Sequence, residues 1–204
     1  MVDKQSKTAY DTADPRYAAR LVTLEAVWWK RLLDVQAPYR WNLRRLQPGF
    51  TLDIGCGIGR NLLHLAGVGV GIDHNPGSVE IARARGLRAF TPDEFQASPF
   101  NAAARFDSLL LAHVVEHMTE SDALALLNTY LHTLKPQGRV IFITPQELGY
   151  RSDPTHVQFM DMAALKRIAC AVQLEPVKEF SFPLPRPFGR VFKYNEFVLV
   201  SKKP

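Results

Sequence analysis

Cysteine is scarce in this chain. Cys56 and Cys170 are the only two in 204 residues, and they lie far apart. A disulfide framework is not indicated, so a reducing, cytoplasmic setting is expected. Long hydrophobic runs are missing as well, with nothing near the ~20 residues that cross a bilayer. The first fifteen residues are polar and carry no apolar secretory core. No membrane partner is therefore expected. Repeats and low-complexity tracts are absent. The glycine-rich turn near residue 55 has no Lys-Ser or Lys-Thr after it, and its glycines are not spaced Gly-x-Gly-x-x-Gly. That argues against a P-loop and against the dinucleotide fingerprint. Charge of one sign does not dominate: the formal net charge is +5. Basic clusters at Arg40, Arg44 and Arg45, at Arg83, Arg85 and Arg88, and at Arg186, Arg190 and Lys193 are modest. Such a surface permits a nucleic-acid partner without requiring one.

What is present is a chain of single-domain size, nearly half apolar, able to bury a full core. Leu52-Asp53-Ile54-Gly55-Cys56-Gly57-Ile58-Gly59 is its most informative stretch. An apolar run ends in a carboxylate, and a Gly-x-Gly-x-Gly turn follows. Glycines there let the backbone turn sharply and approach a ligand closely. Cys56 in that turn reads as a small filler, not a nucleophile. The next apolar run, Val68-Gly69-Val70-Gly71-Ile72, ends in Asp73. A carboxylate at that point is placed to hold a ribose diol.

Hydrophobic periodicity predicts strands at 50–54, 68–72, 87–90, 106–111 and 139–143, with helices at 58–65, 77–84 and 121–134 between them. Strands alternating with helices argue for a parallel α/β sheet. A helix at 161–172, a segment at 177–182, a stiff non-helical Pro-rich excursion and a last strand at 195–201 follow. Residues 15–47 read as helical, and Trp28, Trp29, Tyr39 and Trp41 crowd that region. Most of these are expected to pack a cap onto the sheet; an aromatic wall over an acceptor is the alternative.

On these motifs the chain resembles the class I S-adenosylmethionine-dependent methyltransferases, from about residue 49 to 144. The resemblance implies a Rossmann-like sandwich: a mostly parallel seven-stranded sheet, an antiparallel C-terminal hairpin and an N-terminal helical cap. It implies one domain over 1–204, with the cap at 1–47 and the core at 48–204. The cofactor would be S-adenosylmethionine. Its contacts would come from Asp53, Gly55, Gly57, Asp73 and His74, from an adenine-facing acid at Asp93 or Glu94 with Phe95, and from His113. Leu134-Lys135-Pro136-Gln137-Gly138 matches the family's turn into the fifth strand.

A second constellation, His113-Val114-Val115-Glu116-His117, follows the fourth strand. If that segment is helical, His113, Glu116 and His117 share one face. His156 follows the fifth strand and is able to reach the same rim. The set resembles the metal-dependent branch of the superfamily, whose small RNA 3′-terminal 2′-O-methyltransferases carry Glu-x-x-Glu-His there; His113 replaces the first Glu. The resemblance implies a divalent metal, magnesium or manganese, on His113, Glu116, His117 and His156. Imidazoles favour manganese and its softer neighbours; availability favours magnesium. Catalytic roles are expected for Glu116, His117 and His156. A metal orients a hydroxyl and eases its deprotonation, and a histidine not holding metal takes the proton.

As a whole the chain is similar to small sugar O-methyltransferases of methylmannose polysaccharide assembly. That implies a small carbohydrate acceptor, at the 1-hydroxyl of a 3-O-methylated mannoside. RNA 3′-end 2′-O-methylation and a phenolic or quinone acceptor are the alternatives. A homodimer through the N-terminal helices is also expected.

Overall fold

The computed structural model describes Asp34 and residues 36–204. Trp28, Trp29 and most of the expected helical cap lie outside the described residues. Of that cap, helix α1 (Ala37–Arg45) is described. No helix among the described residues is long and apolar enough to cross a membrane.

Seven strands form one sheet: β1 (Thr51–Ile54), β2 (Gly69–Ile72), β3 (Ala89–Phe90), β4 (Phe106–Ala112), β5 (Leu134–Pro145), β6 (Glu175–Phe182) and β7 (Glu196–Lys202). Their order is β3-β2-β1-β4-β5-β7-β6. Pairings from β3 through β5 are parallel, and β7 runs antiparallel to both β5 and β6. The mostly parallel sheet with an antiparallel C-terminal hairpin matches the expectation from sequence. Chain direction across the sheet reverses between β1 and β4, which opens a crevice at their carboxyl ends.

The central strands carry continuous apolar runs, Leu109–Ala112 in β4 and Val140–Ile143 in β5, because both faces are covered there. Successive residues still divide between two cores, as the strand period of two requires. Leu109, Leu111, Val140, Phe142, Phe197 and Leu199 join one core, with Leu127 of α5 (Glu120–Tyr130) and Leu165 and Ile168 of α7 (Met162–Ala171). Leu110, Ala112, Ile141, Ile143, Val198 and Val200 face the other core, with Leu43 of α1. A third cluster packs α2 (Arg60–His64) and α3 (Pro76–Ala84) against β2 and β3 through Leu62, Val79, Ala82 and Ala89.

Several boundaries differ from the periodic pattern. The strand expected at 87–90 is only Ala89–Phe90. The predicted 121–134 helix stops at Tyr130, and a 3-10 turn, Leu131–Thr133, leads into a β5 that starts at Leu134. The Pro-rich excursion contains a 3-10 turn, Arg186–Arg190, and so is not wholly non-helical. Two five-residue helices, α4 (Pro92–Gln96) and α6 (Glu147–Arg151), have no counterpart in the pattern, since five residues are too few to show a period. Thr91 and Glu94 nevertheless form a capping box on α4, a local signal for a helix start.

Candidate active site

The glycine turn lies at the mouth of the crevice. Gly55, Gly57 and Gly59 have φ of +74°, +53° and +84°, the left-handed region that disfavours a side chain. A Cβ on Gly55 would lie 2.5 Å from Val114 Cγ2, so the turn rests directly on the exit of β4. Gly55 and Cys56 both donate their N–H to the Ile72 carbonyl. Cys56 is buried, and a Cβ on Gly71 would lie 2.5 Å from its Sγ. Burial pushes its thiol well up. Cys56 therefore fills space beside bare backbone, as the sequence suggested, and offers no thiolate.

Asp73, after β2, accepts from the Gly57 N–H at 2.7 Å and the Asn75 N–H at 2.9 Å. Its carboxylate thereby ties the end of β2 to the glycine turn, and each oxygen keeps acceptor capacity for a ligand hydroxyl. His74 is exposed beside it, with Nδ1 4.0 Å from Asp73 Oδ1.

Asp53 is fully buried, and neither carboxylate oxygen has a hydrogen-bond partner. Desolvation pushes its pKa up to about 7; the Asp73 charge adds to that, and the Asn61 side chain opposes it. A buried carboxylate left unpartnered is expensive. A cationic donor entering the crevice would complete it.

The adenine-facing expectation fares differently. Glu94 Oε2 accepts from the Thr91 N–H at 2.8 Å and from Arg83 at 2.6 Å. That oxygen closes a cap and an exposed ion pair, and Asp93 is exposed. Phe95 is corrected outright. It is fully buried, stacked on Phe106 and edge-on to Tyr130, and has no ring face for a ligand.

On the opposite rim, residues 113–117 do not form the α-helical face assumed from spacing. His113 has φ +59°, and Val115–His117 is a single 3-10 turn. Glu116, His117 and His156 nevertheless converge, each offering a ligand atom within 4.8 Å of the others. His117 Nδ1 is 3.1 Å from the Thr155 carbonyl, and His156 Nδ1 is 2.6 Å from the Tyr150 carbonyl. Carbonyls only accept, so both Nδ1 atoms carry hydrogen and both Nε2 lone pairs are left over. Burial pulls the His117 imidazole below its ordinary pKa, which keeps that lone pair available. The Glu116 side chain is fully buried; Oε1 meets His113, and Oε2 has no partner.

His113 itself is not in that cluster. Its Nδ1 lies 3.2 Å from Glu116 Oε1 and its Nε2 lies 2.8 Å from Glu196 Oε1. Desolvation pulls the imidazole down, but the two carboxylates override it and raise its pKa to about 10. Both nitrogens donate, so no lone pair remains for a metal. The expected set of three imidazoles and a carboxylate is thus two imidazoles and a carboxylate. Glu196, at the start of β7 and 83 residues from His113, carried no motif that marked it. A cavity of about 40 Å³ lies next to it, lined by Tyr39, Asn42, Asn61, His64, His113 and Glu196 among others. Tyr39 holds the far wall by donating to the Tyr194 carbonyl at 2.9 Å. Trp41 lies outside that cavity, stacked on Phe182 and 57% exposed.

A glycine turn, two carboxylates at the ends of β1 and β2 and this strand order define a Rossmann-like methyltransferase that uses S-adenosylmethionine. Residues 29–179 match the family described as "Methyltransferase domain", and the chain belongs to that family. Among curated proteins none matches it. Solved structures share the fold. A SAM-dependent methyltransferase from Archaeoglobus fulgidus is 19% identical, with 87% of this chain and 98% of that one covered and a TM-score of 0.66. A TehB-like SAM-dependent methyltransferase from Corynebacterium glutamicum is 17% identical, with 94% and 100% covered and a TM-score of 0.64. The N-methyltransferase NodS from Bradyrhizobium japonicum is 18% identical, with 81% and 94% covered and a TM-score of 0.60. At such identities the likeness carries the fold and not the acceptor.

The crevice fits that cofactor. Asp53 has two buried oxygens that lack a donor, which suits the ammonium of the cofactor's amino-acid end. Asp73 faces the crevice with its backbone contacts already made, which suits a ribose diol.

Proposed function

We propose that this methyltransferase is a metal-assisted O-methyltransferase acting on a hydroxyl of a small carbohydrate. The observation that carries the proposal is the convergence on one rim of a ligand atom from each of Glu116, His117 and His156, all within 4.8 Å of one another, with Glu116 Oε2 left without a partner. Each imidazole is oriented through its Nδ1 by a backbone carbonyl, as ligating histidines commonly are. Two imidazoles and one carboxylate suit manganese, iron, cobalt or zinc better than magnesium. A divalent cation on these atoms would orient an acceptor hydroxyl and lower its pKa.

The chain's own residues account for the remaining requirements. Asp53 and Asp73 fix the two ends of the cofactor, so that its sulfonium methyl can lie in line with an acceptor oxygen. In the transfer the sulfur–methyl bond breaks, its electron pair stays on sulfur, an oxygen–methyl bond forms, and the hydroxyl proton passes to solvent water. Tyr150 is stacked on His156 at 5.3 Å and 15°, giving a partly open aromatic face beside the rim. Asn42, Asn61, Tyr39 and Glu196 give the cavity wall many hydrogen-bonding groups. Hydrogen-bonding groups and an aromatic ring beside the rim suit a hydroxyl-bearing acceptor, and the choice of a carbohydrate rests on overall resemblance. The finer choice, the 1-hydroxyl of a 3-O-methylated mannoside, rests on the same resemblance.

A second reading has one observation in its favour. Buried and kept neutral, His117 with a free Nε2 is also suited to act as a metal-free general base. Transfer of labelled methyl groups to a panel of short mannosides, glucosides, an RNA oligonucleotide and catechols, with and without EDTA, separates these readings. EDTA-sensitive transfer to a mannoside is expected. Transfer to RNA or catechol alone overturns the carbohydrate assignment, and EDTA-resistant transfer that His117→Ala abolishes favours the general base.

A further inference from the structure

We propose that Glu196 is a positioning residue for the rim cluster, acting through His113. The inference rests on the metal-binding reading above. Glu116 has two oxygens in different settings: Oε1 lies 3.2 Å from His113 Nδ1, and Oε2 has no partner. A carboxylate turns readily about its last bond, so the hydrogen bond to Oε1 fixes how the Glu116 carboxylate is turned and how it is presented to the two imidazoles.

His113 does not hold that oxygen unaided. Its ring is half-exposed, and its backbone occupies the left-handed region at φ +59°. A non-glycine residue stays there only where its surroundings fix it. The His113 N–H donates to the Ile143 carbonyl at 2.9 Å. The other fixed point is Glu196, with Oε1 2.8 Å from His113 Nε2. Glu196 is the buried first residue of β7, paired opposite Pro145 on β5 and Phe182 on β6. Anchored on both sides by the sheet, it is the rigid end of a carboxylate–imidazole–carboxylate strut.

The strut reaches further than one side chain. The Glu116 carbonyl accepts from the Val157 N–H at 2.8 Å, so the loop that carries His156 docks on the residue the strut holds. The two imidazoles keep their own anchors at Thr155 and Tyr150. Loss of Glu196 therefore loosens one ligand of three. Metal affinity falls by roughly 10- to 100-fold and is not abolished.

The test is manganese titration of the full chain, read by the electron paramagnetic resonance signal of free Mn²⁺. Glu196→Leu should weaken binding by roughly 10- to 100-fold, and Glu196→Gln, which keeps an acceptor oxygen, by no more than about threefold. If the leucine variant does not fold, Glu196→Asp keeps the charge, withdraws the oxygen from His113 and should show the same loss. His113→Ala combined with Glu196→Leu should bind manganese no more weakly than His113→Ala alone, because the two act in series. Losses that multiply in the double variant overturn the inference. So does wild-type affinity in Glu196→Leu, with the metal reading intact. Failure of the wild-type chain to bind manganese overturns both.

Discussion

With Asp53 assigned to the cofactor's ammonium, binding is predicted to depend on pH near neutrality, and the size of the effect follows from its burial. Without cofactor its carboxyl titrates near 7 because it is fully buried. At pH 6 only about one-tenth of the chains carry the carboxylate; at pH 8 about nine-tenths do. Only the ionised form pairs with an ammonium, so affinity should rise about tenfold from pH 6 to pH 8. The sign for stability is opposite. With a pKa raised from an ordinary 3.8 to about 7, the folded chain binds the proton more tightly than the unfolded one. Stability is full below the unfolded value and is lost as pH climbs through that window, by on the order of 4 kcal/mol at most. Asp53→Asn removes both dependences and weakens binding about 10- to 100-fold at pH 8, the worth of a charge-assisted hydrogen bond. Calorimetry with S-adenosylhomocysteine, which retains the ammonium, avoids turnover. A flat affinity between pH 6 and 8, or unchanged affinity in Asp53→Asn, would refute the assignment.

Asp73→Ala removes the acceptor for the Gly57 and Asn75 N–H groups and any ribose contact; S-adenosylhomocysteine affinity should fall by at least about 30-fold, and unchanged calorimetric affinity sinks the ribose role. Gly59→Ala places a Cβ 2.3 Å from Leu87 Cδ1 at φ +84°, which should cost about 1–3 kcal/mol in urea unfolding; wild-type stability would contradict the turn geometry. His156→Ala removes one cluster ligand and should weaken manganese binding while leaving S-adenosylhomocysteine affinity within about twofold; equal losses of both would show that the two sites are not separate.

The sequence made the local parts of this architecture legible. Gly55, Gly57 and Gly59 announce the turn because a left-handed backbone leaves little choice of residue. Asp73 is legible because a strand's end fixes where its next side chain lies. The apolar runs Leu109–Ala112 and Val140–Ile143 mark central strands. Long-range partners were not legible. Glu196 meets His113 only because antiparallel β7 lies beside β5, and no short pattern encodes that pairing. The same contact takes His113 out of the metal set that its spacing suggested. Phe95 sits one residue from a plausible adenine contact, yet helix α4 turns it into the core. Backbone carbonyls that orient His117 and His156 leave no trace in side-chain identity.

Methyl transfer to a hydroxyl is proposed to need a divalent cation on Glu116, His117 and His156. That need is tested most directly by assaying transfer from labelled S-adenosylmethionine after exhaustive EDTA treatment, then after adding back manganese. Loss of transfer with the chelator and recovery with the metal are expected, with no recovery in His117→Ala or His156→Ala. Full turnover in EDTA, with both histidine variants active, would contradict it.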